Sequence, residues 1–175
     1  MSKTFFTADT HFGHARIIDL CSRPFETVED MDEEMTARWN KVVGPDDHVW
    51  HLGDFCLSKD PNAARNYRQR LNGRISLIWG NHDRVGTRML AHAWVNTVYA
   101  TEINMDGWDL TLCHYALRVW NGSFHKTGKS LMLYGHSHGM LPPIHHSLDV
   151  GVDCWNFYPV SLDQILDYLR CMELL

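Results

Sequence analysis

Residues 75 to 83 read Ile75-Ser76-Leu77-Ile78-Trp79-Gly80-Asn81-His82-Asp83: an apolar run, a glycine stop, then an amide, an imidazole and a carboxylate. A short apolar run bounded by glycine predicts a buried strand, which puts the three polar groups at its carboxyl end. The same grammar recurs on both sides. Phe5 to Ala8 leads into Asp9-Thr10-His11, and His48 to Leu52 leads into Gly53-Asp54. Leu110 to Cys113 leads into His114, and Leu131 to Tyr134 leads into Gly135-His136-Ser137-His138. Ligands of open α/β sheets bind beyond the carboxyl ends of the strands, so these five segments are expected to converge on one site.

The intervening stretches predict helices. Ala15 to Leu20 suits a short one. Thr27-Val28-Glu29-Asp30 resembles a capping pattern, and behind it Val28, Met31, Met35, Trp39 and Val42 recur on one helical face. Asp60-Pro61 is an N-cap followed by proline at the first helical position, opening a helix to about Leu71 that Gly73 ends. A further helix is expected around Arg88–Trp94. Val98–Met105 and Trp108–Cys113 flank Asp106-Gly107, a two-residue hairpin signal. Ser147–Val152 reads as a strand, and Ser161-Leu162-Asp163-Gln164 as a capping box for an amphipathic helix carrying Ile165, Leu166, Leu169 and Met172. Helices and strands alternate early and strands dominate late, so the class is α/β or mixed α+β.

Length and composition bound the rest. A chain of 175 residues suits one domain over residues 1–175, with no repeat or linker-like shift in composition. Hydrophobic residues are 45% and charged residues 21%, ordinary for a globular domain and wrong for a disordered one. No run reaches the ~18–20 apolar residues of a membrane span. The opening Met1-Ser2-Lys3-Thr4-Phe5-Phe6-Thr7 meets Asp9 too early for a secretory signal, so the cytoplasm is the expected location. A net charge of −5 supplies no global basic surface for long nucleic acid. The five cysteines are odd in number and contain no Cys-x-x-Cys, which predicts reduced thiols rather than a disulfide framework or thiolate zinc site.

Twelve histidines, against 16 lysines and arginines together, ask for an explanation. Two aspartates, an asparagine and four histidines at strand ends form a mixed oxygen and nitrogen set, suited to divalent transition metals rather than to calcium or structural zinc. Asp9-x-His11 and His136-x-His138 obey the period of two that projects alternate residues to one side of an extended segment. Seven donors exceed one tetrahedral ion with an open position. They match two ions about 3.5–4 Å apart sharing a carboxylate, the arrangement used for in-line displacement at phosphorus.

Asp-x-His, Gly-Asp, Gly-Asn-His-Asp, a lone His and Gly-His-x-His, in that order over residues 9–138, resemble the calcineurin-like metallophosphoesterase superfamily. Three further stretches resemble a small bacterial and phage branch of it: Thr-Ala-Asp-Thr-His-Phe-Gly-His at 7–14, Ser-Arg-Pro-Phe at 22–25 and Val-Gly-Val-Asp-Cys-Trp-Asn-Phe at 150–157. The resemblance implies a four-layer α/β/β/α sandwich. It implies one metal held by Asp9, His11 and His138, another by Asn81, His114 and His136, and Asp54 between them. It further implies a metal-bridging hydroxide as nucleophile, His82 beside the phosphate to stabilise or protonate the leaving oxygen, and Asp83 orienting His82. Manganese is the first choice of metal; iron, zinc, nickel and cobalt also suit such donors.

Two departures narrow the substrate. Family phosphatases acting on phosphoproteins carry an arginine soon after Gly-Asp, whereas Gly53-Asp54 is followed by Phe55-Cys56-Leu57-Ser58-Lys59. The chain also lacks room for a cap or DNA-clamping domain. A small phosphodiester or nucleotide-like phosphoester is therefore the expected substrate. Arg23 and Arg118 are the candidate phosphate grips, because a guanidinium fork matches phosphate oxygens, and His14 is a candidate for the site rim. Asp153 is a candidate partner to the site, and His48 and His51 are expected to be packing or sheet-edge residues. The alternatives are a nuclease on long DNA or RNA, for which Arg65, Arg68 and Arg70 would be the basic cluster, and a non-catalytic scaffold of the same fold. The scaffold would have lost metal ligands, and no ligand position is lost here. An all-helical His-Asp phosphohydrolase is disfavoured because His82-Asp83 follows a strand.

Overall fold

The computed structural model describes residues 2–57, 60–83, 93–124 and 128–175. Its elements are β1 (Thr4–Thr7), α1 (Arg16–Leu20), α2 (Val28–Val42), β2 (His48–His51), α3 (Pro61–Arg70), β3 (Arg74–Ile78), β4 (Thr97–Val98), β5 (Ala100–Met105), β6 (Trp108–Cys113), β7 (Ser130–Tyr134), β8 (Ser147–Asp149), β9 (Val160–Ser161) and α4 (Leu162–Cys171). The expected helix around Arg88–Trp94 falls largely on residues 84–92, outside the described residues.

The strands form two sheets, in the orders β4-β3-β2-β1-β9 and β5-β6-β7-β8. β1 to β4 run parallel in the first, and β6, β7 and β8 run parallel in the second. Parallel strands direct all their carboxyl ends to one edge, which is why motifs far apart in sequence can meet.

Alternation along the strands sorts side chains between two cores. Phe5, Val49, Ile75 and Leu77 face a helical layer with Met31, Met35, Trp39 and Ala64. Phe6, Trp50 and Ile78 turn the other way, against Leu110, Leu112, Leu131 and Leu133 of the second sheet, with Ile165, Leu166 and Leu169 of α4 in the same core. Two packed sheets with helices are the expected class. On the second sheet's outer face Cys113, Met132 and Tyr134 pack against Leu117 and Trp120 of the loop after β6.

Local signals set the element ends. Thr27 accepts from the Asp30 N–H at 3.1 Å and caps α2, and Asp60 accepts from the Asn62 N–H at 2.8 Å before α3. Ser161 and Gln164 complete a reciprocal capping box on α4. Asp106 and Gly107 both have positive φ, 52° and 77°, and close the β5–β6 hairpin with Met105 opposite Trp108. The expected strand Val98–Met105 is divided: Val98 pairs with Ile78 in the first sheet, and Ala100–Met105 pairs with β6 in the second. The chain crosses between sheets at Tyr99. The expected strand Ser147–Val152 also stops early, at Asp149, whose side chain accepts from the Gly151 N–H at 2.7 Å and turns the backbone. Among the described residues no helix is long and apolar enough to cross a membrane.

Candidate dinuclear metal centre

The five polar segments meet at the carboxyl edge of the two sheets. Backbone hydrogen bonds lace them together: Asp9 N–H to Gly53 O at 2.9 Å, His11 N–H to Asp54 O at 2.9 Å, and Gly135 N–H to His114 O at 3.1 Å. Asp9, His11, Asp54, His136 and His138 all have positive φ, between 47° and 66°. An L-residue adopts that conformation at a cost on the order of 1 kcal/mol, so its use at five of the seven expected ligand positions marks a loop cluster whose side chains are aimed by the fold. Glycine makes the approach of two of these loops feasible. A Cβ on Gly53 would lie 2.7 Å from Gly80 Cα, and one on Gly80 would lie 2.5 Å from the backbone nitrogen of Asp54.

The side chains form two groups. Ligand atoms of Asp9, His11 and His138 lie within 4.8 Å of one another, and so do those of Asp54, His114 and His136. Asp54 stands between them: its Oδ2 is 3.5 Å from His11 Nε2 and 3.5 Å from His114 Nε2. Asn81 joins the second group, with its Oδ1 3.0 Å from His114 Nε2. All seven expected ligand residues are thus brought together.

The polar atoms of both groups fit a divalent cation. Asp9 Oδ1 and His11 Nε2 are buried with no hydrogen-bond partner, a state costly enough to demand an explanation. Burial, then the negative charges of Asp149 and Asp54, push the Asp9 carboxyl well above the usual carboxylate range, which a nearby cation would reverse. Burial lowers His11 to about 2, so its ring is neutral and can donate a lone pair. His114 donates its Nδ1–H to the Leu52 carbonyl at 2.8 Å, and its Nε2 then faces oxygens of Asp54 and Asn81. Burial opposes a charge there, yet attraction to Asp54 outweighs it and raises His114 above its ordinary value. Burial likewise opposes the Asp54 charge, but the attraction of His114 and then His11 holds its carboxyl at about 2.

His82 donates its backbone N–H to Asp54 Oδ1 at 2.8 Å. Its ring centroid is 5.3 Å from that of His11, and its Nδ1 is buried without a partner. His14 reaches the same place, its Nδ1 3.4 Å from His11 Nδ1. These side chains line an open cavity of about 630 Å³ floored by His11, Asp54, His136 and His138.

Three sequence expectations are corrected. Asp83 does not orient the His82 ring. Its carboxylate turns inward and accepts from the backbone N–H groups of Asp54, Phe55 and Gly80 at 2.9, 2.9 and 2.8 Å, so it fixes the loop that carries Asp54. Arg23 is no phosphate grip. It is 4% exposed, its fork is bonded to Asp153, and its remaining N–H groups reach the carbonyls of Asp9 and Thr10. Arg118 is exposed in the loop after β6 and is absent from the cavity lining. His48 and His51 do serve packing: His48 Nε2 pairs with Ser76 Oγ at 2.9 Å and the buried His51 Nε2 with Thr10 Oγ1 at 3.0 Å.

The sequence reading missed Asp149, Tyr115 and Arg16. Asp149 accepts from the Ser137 hydroxyl, the Gly139 N–H and the Gly151 N–H, and so shapes the loop holding His136 and His138. Its signal was available: it is one more carboxylate at the end of a parallel strand. Tyr115 packs its ring edgewise on His136, with centroids 4.8 Å apart. Arg16 opens α1 on the cavity wall, where Ile17, Leu20, Leu57 and Met140 supply apolar surface.

Comparison with known proteins identifies the family. Residues 3–159 match the family model described as the calcineurin-like phosphoesterase superfamily domain. The chain is 35% identical to the Methanocaldococcus jannaschii protein MJ1445, over 97% of this chain and 93% of that one. It is 29% identical to the gene 66 protein of a Mycobacterium phage, over 97% and 95% of the two chains. Among solved structures, protein AQ665 of Aquifex aeolicus superposes with a TM-score of 0.74 at 22% identity, covering 97% of this chain and all of that one, a likeness of fold. With the family domain running over nearly its whole length, the chain belongs to the calcineurin-like phosphoesterase superfamily.

Proposed function

We propose that this protein is a dinuclear-metal phosphoesterase hydrolysing a small phosphodiester or nucleotide-like phosphoester. The observation that carries the reading is the position of Asp54 Oδ2, 3.5 Å from a histidine nitrogen of each ligand group. A carboxylate oxygen near a nitrogen of each group could serve both ions. Asp9, His11 and His138 would hold one ion and Asn81, His114 and His136 the other. Two divalent cations there would supply an activated water at neutral pH and neutralise phosphoryl charge; manganese is the first choice.

The chain's own residues supply the rest. The backbone bond from His82 to Asp54 holds the His82 main chain beside Asp54, and the His82 side chain lines the same cavity. In the hydrolysis water adds to phosphorus, the ester P–O bond breaks, and the departing oxygen takes a proton, for which His82 is the proposed donor. Asp83 acts at a distance, by fixing the backbone of Asp54 and Gly80.

The wall of the cavity supports an organic substituent on the phosphorus. Ile17, Leu20, Leu57 and Met140 offer apolar contact, and the exposed Arg16 offers a cation at the rim. A long polynucleotide is less well served. Arg70 is engaged with Glu33 at 2.6 Å, and Arg68 donates to the carbonyls of Leu71, Gly73 and Ala93. The test is hydrolysis of a bis-aryl phosphodiester and the matching monoester by metal-stripped protein. Manganese, zinc, nickel, cobalt or magnesium is added back singly, with Asp54→Asn as control. Metal-dependent diester cleavage, lost in the control, is the expected result. A preference for the monoester overturns the diester as substrate, and failure to bind any metal overturns the whole reading.

A further inference from the structure

Two of the sequence stretches singled out above, residues 22–25 and 150–157, contribute no ligand to either group. The structure shows them meeting beneath the site. Arg23 Nε donates to Asp153 Oδ1 at 2.8 Å and Arg23 Nη2 to Asp153 Oδ2 at 2.9 Å, a bidentate pair. Asp153 Oδ2 also accepts from His138 Nδ1 at 2.7 Å. The second hydrogen bond of Nη2 runs to the Asp9 carbonyl at 2.7 Å, and Nη1 reaches the Thr10 carbonyl at 3.1 Å. Phe157 covers the pair, with the Arg23 guanidinium carbon 5.8 Å from its ring centroid, and Phe25 packs edgewise on Phe157 at 5.0 Å.

We infer that the buried Arg23–Asp153 pair is a positioning device for one metal position only, the one formed by Asp9, His11 and His138; the inference rests on the dinuclear reading. A carboxylate only accepts hydrogen bonds, so Asp153 requires Nδ1 of His138 to carry hydrogen and leaves the lone pair on Nε2, the nitrogen remote from Asp153. A carboxylate behind a ligating histidine fixes both tautomer and ring direction. The same guanidinium holds the carbonyls of Asp9 and Thr10, the backbone between the other two ligands. That backbone has positive φ at Asp9 and His11, 57° and 50°, and gains from an external tie. Among the described residues no hydrogen bond of Arg23 or Asp153 reaches Asn81, His114 or His136, so the second group keeps its own supports, the Leu52 carbonyl under His114 among them. A cation held between Cys21, His138 and Asp153, whose ligand atoms also lie within 4.8 Å of one another, is the competing use of this cluster. Both Asp153 oxygens are already taken by Arg23 and His138, which argues against it.

Metal-free wild-type protein and Asp153→Asn are titrated with manganese by calorimetry, and thermal unfolding of both is recorded without metal. Wild type is expected to bind two ions. In Asp153→Asn one ion keeps its affinity and the other binds about 10–100-fold more weakly, the range for loss of such an outer partner. Two ions bound as in wild type, or both weakened alike, overturn the inference and leave the dinuclear reading standing. Fewer than two ions on the wild type overturn that reading and the inference with it. A second measurement needs no variant: nitrogen NMR of the histidine rings in metal-free wild type at pH 9. His138 is expected as the Nδ1–H tautomer, and the Nε2–H tautomer overturns the inference.

Discussion

Replacing Gly80 by alanine puts one methyl group where the two metal-bearing loops of the first sheet touch. Gly80 has no positive φ, so alanine is compatible with its backbone and the perturbation is steric. The added Cβ would lie 2.5 Å from Asp54 N and 2.9 Å from Asp54 Cγ, and would overlap Asp54 Oδ1 outright. Ordinary van der Waals contact for a Cβ begins near 3.4 Å, so the Asp54 backbone and the Gly80 turn must part by about 0.9 Å. Neither can yield cheaply. Asp54 N and Gly80 N are both held by the same Asp83 oxygen, at 2.9 and 2.8 Å.

Overpacking of this kind costs about 1–3 kcal/mol, and for a domain of this size each kcal/mol lowers Tm by about 2–4 °C. Gly80→Ala should therefore lose about 2–12 °C in the metal-free state. Because the displaced group is the proposed bridging carboxylate, a shift near 1 Å should also lower turnover about 100-fold. The assays are thermal unfolding of metal-stripped protein, manganese stoichiometry, and hydrolysis of the bis-aryl diester. Gly44→Ala is the control, since its Cβ would meet only the end of the Asp47 side chain, at 3.3 Å. If Gly80→Ala matches wild type in Tm, stoichiometry and turnover, the close approach of the two loops does not govern the site and the argument from it fails.

Further perturbations separate the remaining roles. His82→Ala should keep both metal ions while turnover falls about 100-fold or more, in line with loss of a general acid; unchanged turnover removes His82 from the chemistry. Ser161→Ala should lower stability by about 1 kcal/mol through loss of the α4 cap and leave manganese stoichiometry unchanged, which equilibrium dialysis checks. Burial lifts Asp83 to about 6 from an ordinary 3.8, with smaller opposing hydrogen bonds from Gly80 and Phe55. The folded state of the metal-free protein thus binds that proton more tightly than the unfolded state. Its stabilising contribution is complete below pH 3.8 and is lost as pH rises through about 6. Denaturant titrations at pH 4.5 and 7 should show this component, worth up to about 3 kcal/mol, and Asp83→Asn should abolish it.

The candidate ligand residues were legible because each sits one to four positions past an apolar run, and parallel strands deliver such positions to a common edge. What surrounds them was not. His82 and Asp83 are adjacent in sequence and invited a pairing, but the Gly80–Asp83 turn sends the carboxylate back into the protein, where three backbone N–H groups outcompete one ring. Arg23 looked like a phosphate grip because a guanidinium fork matches phosphate oxygens, but the same fork matches a buried carboxylate. The partner that decides, Asp153, lies 130 residues away. Tyr99 carries no turn residue, so the division of the expected strand Val98–Met105 between two sheets left no mark on the local pattern.

The site's geometry and the folding of the metal-free chain pull against each other. Asp9, Asp54, Asp83 and Asp149 crowd the edge of the two sheets, and Asp9 and Asp83 are both raised by burial and by neighbouring carboxylates. Five ligand positions also adopt a left-handed backbone. Arg23 is the one buried arginine among the described residues, and its charge is shared between Asp153 and two carbonyls. It cannot offset the whole cluster. A ligand that binds only the folded state adds stability by mass action, so the repulsion that destabilises the metal-free form becomes the attraction that holds cations in the loaded one. The cross-loop bonds of Asp9, His11 and Gly135, and the inward turn of Asp83, then have a common purpose: they keep the donors in place before a cation arrives, so that binding is not spent on ordering loops.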